Sequence, residues 1–113
     1  MSTISRRTLL GSIAVASIPI SSDAAHDPLV DAIAAYRAGM KDYDLNAPHD
    51  NDAADAYADI SYRPPMLVLD EWSQPARSRQ GAIEALRLLA EEPDCTFTDS
   101  MIAAALGYLE ATA

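Results

Sequence analysis

The densest concentration of chemistry-bearing side chains is the stretch Asp42-Tyr-Asp44-Leu-Asn46-Ala-Pro-His-Asp50-Asn-Asp52. An oxygen-rich run between two helices is what a hard cation such as calcium needs. Asp42, Asp44 and Asn46 stand at the first, third and fifth places of a helix–loop–helix calcium loop, and Asp50 stands at the ninth. The pattern then fails where geometry is most demanding. The sixth place wants Gly for a sharp turn and holds Ala47, and the twelfth wants a bidentate Glu and holds Ala53. Without that Glu the run reads as a solvated acidic connection. A small-ligand or cation-binding module using the acidic loop 42–52 is the alternative.

Other reactive side chains are isolated. His26 and His49 each lack a second His at helical spacing, so neither builds a transition-metal site. Asp70 and Glu71 are adjacent, and neighbours on a helix point about 100° apart, so they cannot converge on one glycosidic bond. Cys95 is the only cysteine, which rules out an internal disulfide and a cysteine metal cage. Burial is its ordinary fate, with a disulfide-linked dimer as the other. Trp72 with Tyr57 and Tyr62 could line a ligand groove, although aromatics at helical spacing belong more often to a core. Neither a Gly-rich phosphate loop nor a nucleophile elbow nor a zinc-protease helix occurs. No catalytic residue and no cofactor follow from these residues, and a non-enzymatic protein is the expectation.

Composition points the same way. A chain of 113 residues has room for one domain, and half of it is hydrophobic, with Ala, Leu and Ile prominent and only 4 Gly. Such a composition favours helix. The net charge of −9 repels phosphate backbones, which argues against nucleic acid and anionic membranes as partners.

Four amphipathic segments position these residues. Asp27-Pro28 opens the first, with Leu29, Ile33, Tyr36, Met40 and Tyr43 as its apolar stripe and Asn46-Ala47-Pro48 as its end. The second starts near Asp50 to Asp52 and turns Ala53, Tyr57 and Ile60 inward, with Arg63 placed to pair with Asp59. Pro64-Pro65 should kink this helix. Met66 to Trp72 could resume as a short helix or run extended, and the three-residue spacing of Met66, Leu69 and Trp72 favours helix. Ser78 caps a third helix to about Glu92, with Ala82, Ile83, Leu86, Leu89 and Ala90 inward, where Trp72 would meet Leu86 and Leu89. Its outer side would be laced by Glu84 with Arg87 and Arg87 with Glu91. The last begins at Thr98 or Asp99, with Phe97 and Ile102 as a hydrophobic staple and Met101, Ile102, Ala105, Leu106 and Leu109 as its stripe. The expected fold is all-α: a small helical bundle, or paired helical hairpins, of about four helices, the second kinked at Pro64-Pro65. At this size the margin of stability is thin, and pairing two copies as a homodimer would help.

Residues 1–24 read as an address and 25–113 as a single helical domain. Arg6 and Arg7 precede a mildly apolar run from Thr8 to Ile20, too short to span a bilayer. Ser5-Arg6-Arg7-Thr8-Leu9-Leu10 resembles a twin-arginine leader, with Leu9 where such leaders often carry Phe. Ser22 and Ala24 supply the small residues for cleavage after Ala24. Loss of Arg6, Arg7 and Asp23 would leave the mature chain one unit more acidic than −9. The leader, a helical pair and the joint Pro75-Ala76-Arg77-Ser78 with Gly81 resemble a loose group of short, uncharacterised helical proteins of rhizobium-like bacteria. The resemblance covers most of the chain and implies a helical fold and no known activity; the double proline departs from an uninterrupted second helix.

The functional expectation is an exported, periplasmic, non-enzymatic helical protein acting through protein–protein contact. Residence in the cytoplasm with an uncleaved leader is the alternative. Asp50, Asp52, Asp55 and Asp59 form the candidate contact surface for a basic protein partner.

Overall fold

Asp27 starts the first helix as its position suggests. In a computed structural model, which describes residues 26–113, its Oδ1 accepts the Leu29 amide at 3.1 Å and Pro28 occupies the first helical position. Helix α1 (Pro28–Asn46) buries Leu29, Ile33 and Tyr36 along one stripe and ends where Ala47 turns extended ahead of Pro48. Asp50 caps α2 (Asn51–Ala58), its Oδ2 accepting the Ala53 amide at 2.9 Å. Helix α3 spans Arg63–Asp70, α4 spans Arg79–Glu91 and α5 spans Thr98–Thr112. The fold is all-α, with five helices among the described residues. The leader, Arg6 and Arg7 lie outside the described residues.

The interruption expected at Pro64-Pro65 falls earlier, over residues 59–62, and separates α2 from α3 instead of kinking one helix. Both prolines sit in the first turn of α3, where the amide they lack has no intrahelical acceptor. The first helical amide bond is made by Met66 to the Tyr62 carbonyl at 2.9 Å. Met66 to Asp70 are thus helical, and Leu69 is fully buried. Gly39 permits this break to lie against α1, because a Cβ there would come within 2.6 Å of the Ser61 carbonyl oxygen.

Helix α4 packs chiefly on α5, α1 lies across α3 and α4, and α3 touches α5. The inward faces of α4 and α5 differ from the apolar periodicity. Gly81, Ala82, Ala85 and Leu88 are buried on α4, and Met101, Ala104 and Ala105 on α5. Leu86, Ile102, Leu106 and Leu109, expected in the core, are exposed, as is Ala90. Small side chains win the interior because helices can approach closely only where their contact ridges are low. Ile60, expected inward on α2, is exposed too, and Ala58 alone is buried there. The Phe97–Ile102 staple does not form: Phe97 is buried against Tyr36, ring centroids 5.1 Å apart and edge-on, while Ile102 faces solvent. Thr98 is not a cap; its hydroxyl donates to the Cys95 carbonyl at 2.9 Å, and Cys95 is half-buried.

Polar links tie α1 to α4. Tyr36 donates its hydroxyl to Glu92 Oε1 at 2.6 Å, and Arg37 Nη1 donates to Glu84 Oε1 at 3.2 Å. Arg37 Nη2 also lies 3.1 Å from Glu91 Oε1, an ion pair in distance without hydrogen-bond alignment. Glu91 therefore pairs with Arg37 across the interface, not with Arg87 along its own helix, whereas the Glu84–Arg87 pair forms at 3.4 Å. No described helix is long and apolar enough to cross a membrane.

Candidate functional site

All four carboxylates of the expected contact surface face solvent around α2. Two are answered from within the chain. Arg63 Nη2 donates to Asp55 Oδ1 and its Nη1 to Asp59 Oδ1, each at 2.7 Å, which bridges α2 to the start of α3. The hydrogen bond to Asp59 comes first among the effects that push the guanidinium above its ordinary range, followed by that to Asp55. Arg63 Nη1 further donates to the Asp55 carbonyl at 3.2 Å. Asp50 is occupied as the cap of α2. Among the described residues no ion pair involves Asp50 or Asp52. The surface remains acidic, with its charge concentrated toward Asp50 and Asp52.

The calcium-like run does not form a ligand loop. Asp42, Asp44 and Asn46 lie on the last turns of α1, so the connection is only 47–50. Residues two apart on a helix point roughly 200° apart. Asp42 Oδ1 instead accepts from the Tyr57 hydroxyl at 2.7 Å and from Asn46 Nδ2 at 2.8 Å. The Tyr57 bond, then that of Asn46, holds the Asp42 carboxyl below its ordinary range, and the same contact raises the Tyr57 hydroxyl. Among the described residues no three His, Cys, Asp or Glu side chains gather as metal ligands. His26 lies 3.0 Å from Asp31 on the surface of α1, while His49 is exposed in the 47–50 connection. Asp70 accepts the Thr96 hydroxyl at 2.5 Å, and Glu71 faces a groove on α3.

Trp72 is half-buried between two concavities. A groove of about 450 Å³ runs past Pro28, Val68, Glu71, Ser73, Gln74 and Arg77. A smaller one of about 180 Å³ lies against Ser100, Ala103, Ala104 and Gly107. The expected company of Tyr57 and Tyr62 is absent from both. Tyr57 serves Asp42, and Tyr62 stacks edge-on against Tyr43 with centroids 5.1 Å apart. Of the two residues expected beside Trp72, Leu86 is exposed, while Leu89, like Trp72, packs partly buried against the core. The groove brings one carboxylate, one guanidinium and an indole to its walls. It presents no nucleophile held by a base and no base held by a third group, the geometry that covalent or general-base chemistry requires.

Among the described residues the most heavily bonded polar group is one that the sequence marks only as a cap. Asp27 is buried. Its Oδ2 accepts the amides of Arg77 and Ser78, both at 3.0 Å, and the Ser78 hydroxyl at 2.7 Å. Ser78 Oγ in turn accepts the Gly81 amide at 2.9 Å. The cap motifs Asp27-Pro28 and Ser78-x-x-Gly81 are visible separately in the sequence, but nothing in it announces that they meet. Asp27 is thus a structural junction of two helix starts, shielded from solvent and without a substrate-facing surface.

No family model, curated protein or solved structure matches the chain.

Proposed function

We propose that the chain is an exported, non-enzymatic helical protein that works by contact with a basic protein partner through the outer side of α2. The observation that carries this reading is the placement of charge. Helix α2 buries only Ala58 and stands apart from the main packing of the other four helices, while Asp50, Asp52, Asp55 and Asp59 all face solvent. A surface of this kind speeds and selects encounters with positive partners more than it adds affinity. It also repels nucleic acid. Export by the twin-arginine route to the periplasm is supported by Arg6 and Arg7 ahead of the short apolar run. A cytoplasmic chain with an uncleaved leader is the competing location.

Arg63 supplies a sensitive test of the contact. Its replacement in Arg63→Gln releases Asp55 and Asp59 from their internal ion pairs and makes the surface more negative, whereas Asp52→Lys makes it less so. Capture of a basic envelope protein should strengthen in the first variant and weaken in the second, with both differences shrinking at high salt. Capture indifferent to both variants and to salt would refute a charge-led contact.

A further inference from the structure

The outer side of the α4–α5 hairpin carries an apolar face that the described residues leave uncovered. Leu86 is 46% exposed, Ile102 39%, Leu106 48% and Leu109 44%. On α4 the positions Arg79, Ile83, Leu86 and Ala90 recur at four-, three- and four-residue intervals, a single stripe. On α5 Asp99, Ile102, Leu106 and Leu109 or Glu110 recur likewise. The α4 stripe lies away from Glu84 and Glu91, which face α1, and the α5 stripe away from Ser100, which faces α3, so both stripes look out on the side of the hairpin opposite α1 and α3.

We infer that this face is covered by a second copy of the same chain, α4 of each copy lying over α5 of the other. The charges bordering the face select this occupant. The α4 stripe begins at Arg79, which is exposed and in no ion pair among the described residues, and the α5 stripe ends beside Glu110, which is likewise exposed and unpaired. The Ala76 amide donates to the Ala104 carbonyl at 2.9 Å, so the chain entering α4 lies against the second half of α5, and the short connection at the other end makes the two helices antiparallel. A two-fold axis parallel to the helices then sets Arg79 of each copy opposite Glu110 of the other. Symmetry makes the pair twice, and the four helices close into a bundle around Leu86, Ile102, Leu106 and Leu109. Turning the axis across the helices would instead set α4 against α4 and lose this complement.

The net charge of −9 opposes self-association in general, but its carboxylates are unevenly placed. Asp42, Asp44, Asp50, Asp52, Asp55 and Asp59 gather on the end of α1 and on α2, and neither α2 nor that turn belongs to the α4–α5 packing. The two stripes themselves carry few charges, Arg79 on α4 against Asp99 and Glu110 on α5, while Arg87 beside them is paired with Glu84. This surface is separate from the acidic contact proposed for α2, so each can fail without the other.

Sedimentation of the full chain at about 100 µM, enough to populate a dimer of micromolar affinity, should give twice the 12.1 kDa of one copy. Leu106→Glu should return it to one copy, with its helical circular dichroism unchanged. Arg79→Glu should weaken the dimer about tenfold, and Arg79→Glu combined with Glu110→Arg should restore it. A wild type of one copy, or of larger and mixed mass, overturns the inference, as does a dimer that tolerates Leu106→Glu. A dimer lost in Leu106→Glu yet indifferent to both charge variants overturns the pairing of α4 over α5. A monomer that binds a hydrophobic dye in a Leu106-dependent way gives the face to another occupant and overturns it as well.

Discussion

The Ser78 hydroxyl donates to the Asp27 carboxylate at 2.7 Å across 51 positions of chain, joining the starts of α1 and α4. Each residue caps its own helix, Asp27 through the Leu29 amide and Ser78 through that of Gly81, so one buried contact couples two nucleation points. The Arg77 and Ser78 amides also converge on Asp27 Oδ2, which fixes the turn that leads into α4. Local capping and tertiary docking are here a single event.

Asp27→Ala should therefore cost more than an ordinary cap. It removes the acceptor for Leu29 and strands the Arg77 and Ser78 amides in a partly buried setting, a loss of about 2–4 kcal/mol. Asp27→Asn keeps one acceptor but turns an amide toward donors, and it should fall between wild type and Ala. Urea unfolding of the purified chain checks the order. A change below about 0.5 kcal/mol for Asp27→Ala would show the junction to be dispensable.

Gly81 belongs to the same junction for a steric reason. A Cβ at this position would come within 2.0 Å of Asp27 Oδ2. Gly81→Ala should gain up to about 1 kcal/mol of helix propensity and still come out destabilised by about 1–3 kcal/mol, because the carboxylate must move. In the Asp27→Ala background the clash disappears and the penalty should shrink or reverse. A double-mutant cycle measures this coupling, and additive effects would refute it.

The helix starts were legible because their chemistry is local. Asp27-Pro28, Asp50 and Ser78 each cap the helix that the sequence assigns to them. Inward faces of α4 and α5 were not legible, since periodicity reports that a helix has an apolar stripe and not what covers it. Leu86, Ile102, Leu106 and Leu109 outweigh Ala82, Ala85, Ala104 and Ala105 in hydrophobicity, yet the alanines form the interior. Two prolines signalled an interruption correctly, but their tolerance at a helix start moved it ahead of them. Of the acidic surface, exposure followed from charge alone. The engagement of Asp55 alongside Asp59 by Arg63 needed the turn at 59–62 and so lay beyond pattern reading.

Tyr36 should make the fold sensitive to alkali. Burial, then the hydrogen bond to Glu92, raises its hydroxyl above the ordinary value of 10.0. Above that pH the unfolded chain releases the tyrosine proton while the folded chain keeps it, so the unfolded state binds fewer protons and stability falls as pH rises. The contribution is complete below about pH 10 and is progressively lost above it. Tyr36→Phe keeps the edge-on contact with Phe97 but leaves Glu92 without its donor. It should cost about 1 kcal/mol at neutral pH and flatten the alkaline decline. Denaturant melts from pH 7 to 11 check both, and an equally steep decline in the variant would assign it elsewhere.

Trp72 offers a different balance. Its ring packs against the core from a half-buried position, but Nε1 is buried without a protein acceptor. Trp72→Ala should cost about 2–4 kcal/mol through lost packing. Trp72→Phe should cost less than its loss of area implies, because an unsatisfied donor leaves with the indole. Equal losses in the two variants would mean that the polar group carries the stability.

The acidic segment makes the last test, and the geometry fixes its expected result. Calcium needs six to eight oxygens converging at about 2.3–2.6 Å. Asp42 and Asp44 diverge on the final turns of α1, and Asp42 Oδ1 already accepts from Tyr57 and Asn46. Asp50 Oδ2 is occupied by the Ala53 amide. Asp44→Asn should thus be neutral or slightly stabilising at low salt, since it relieves repulsion among neighbouring carboxylates. Asp50→Asn should be nearly neutral because Asn caps as well as Asp, whereas Asp50→Ala should cost about 1 kcal/mol. Millimolar calcium should leave the melting temperature unchanged in all of them. A ligand that binds only the folded state must raise that temperature by mass action. A rise of several degrees in calcium, abolished by Asp44→Asn, would therefore require the end of α1 to unwind into a ligand loop and would restore the cation-binding alternative.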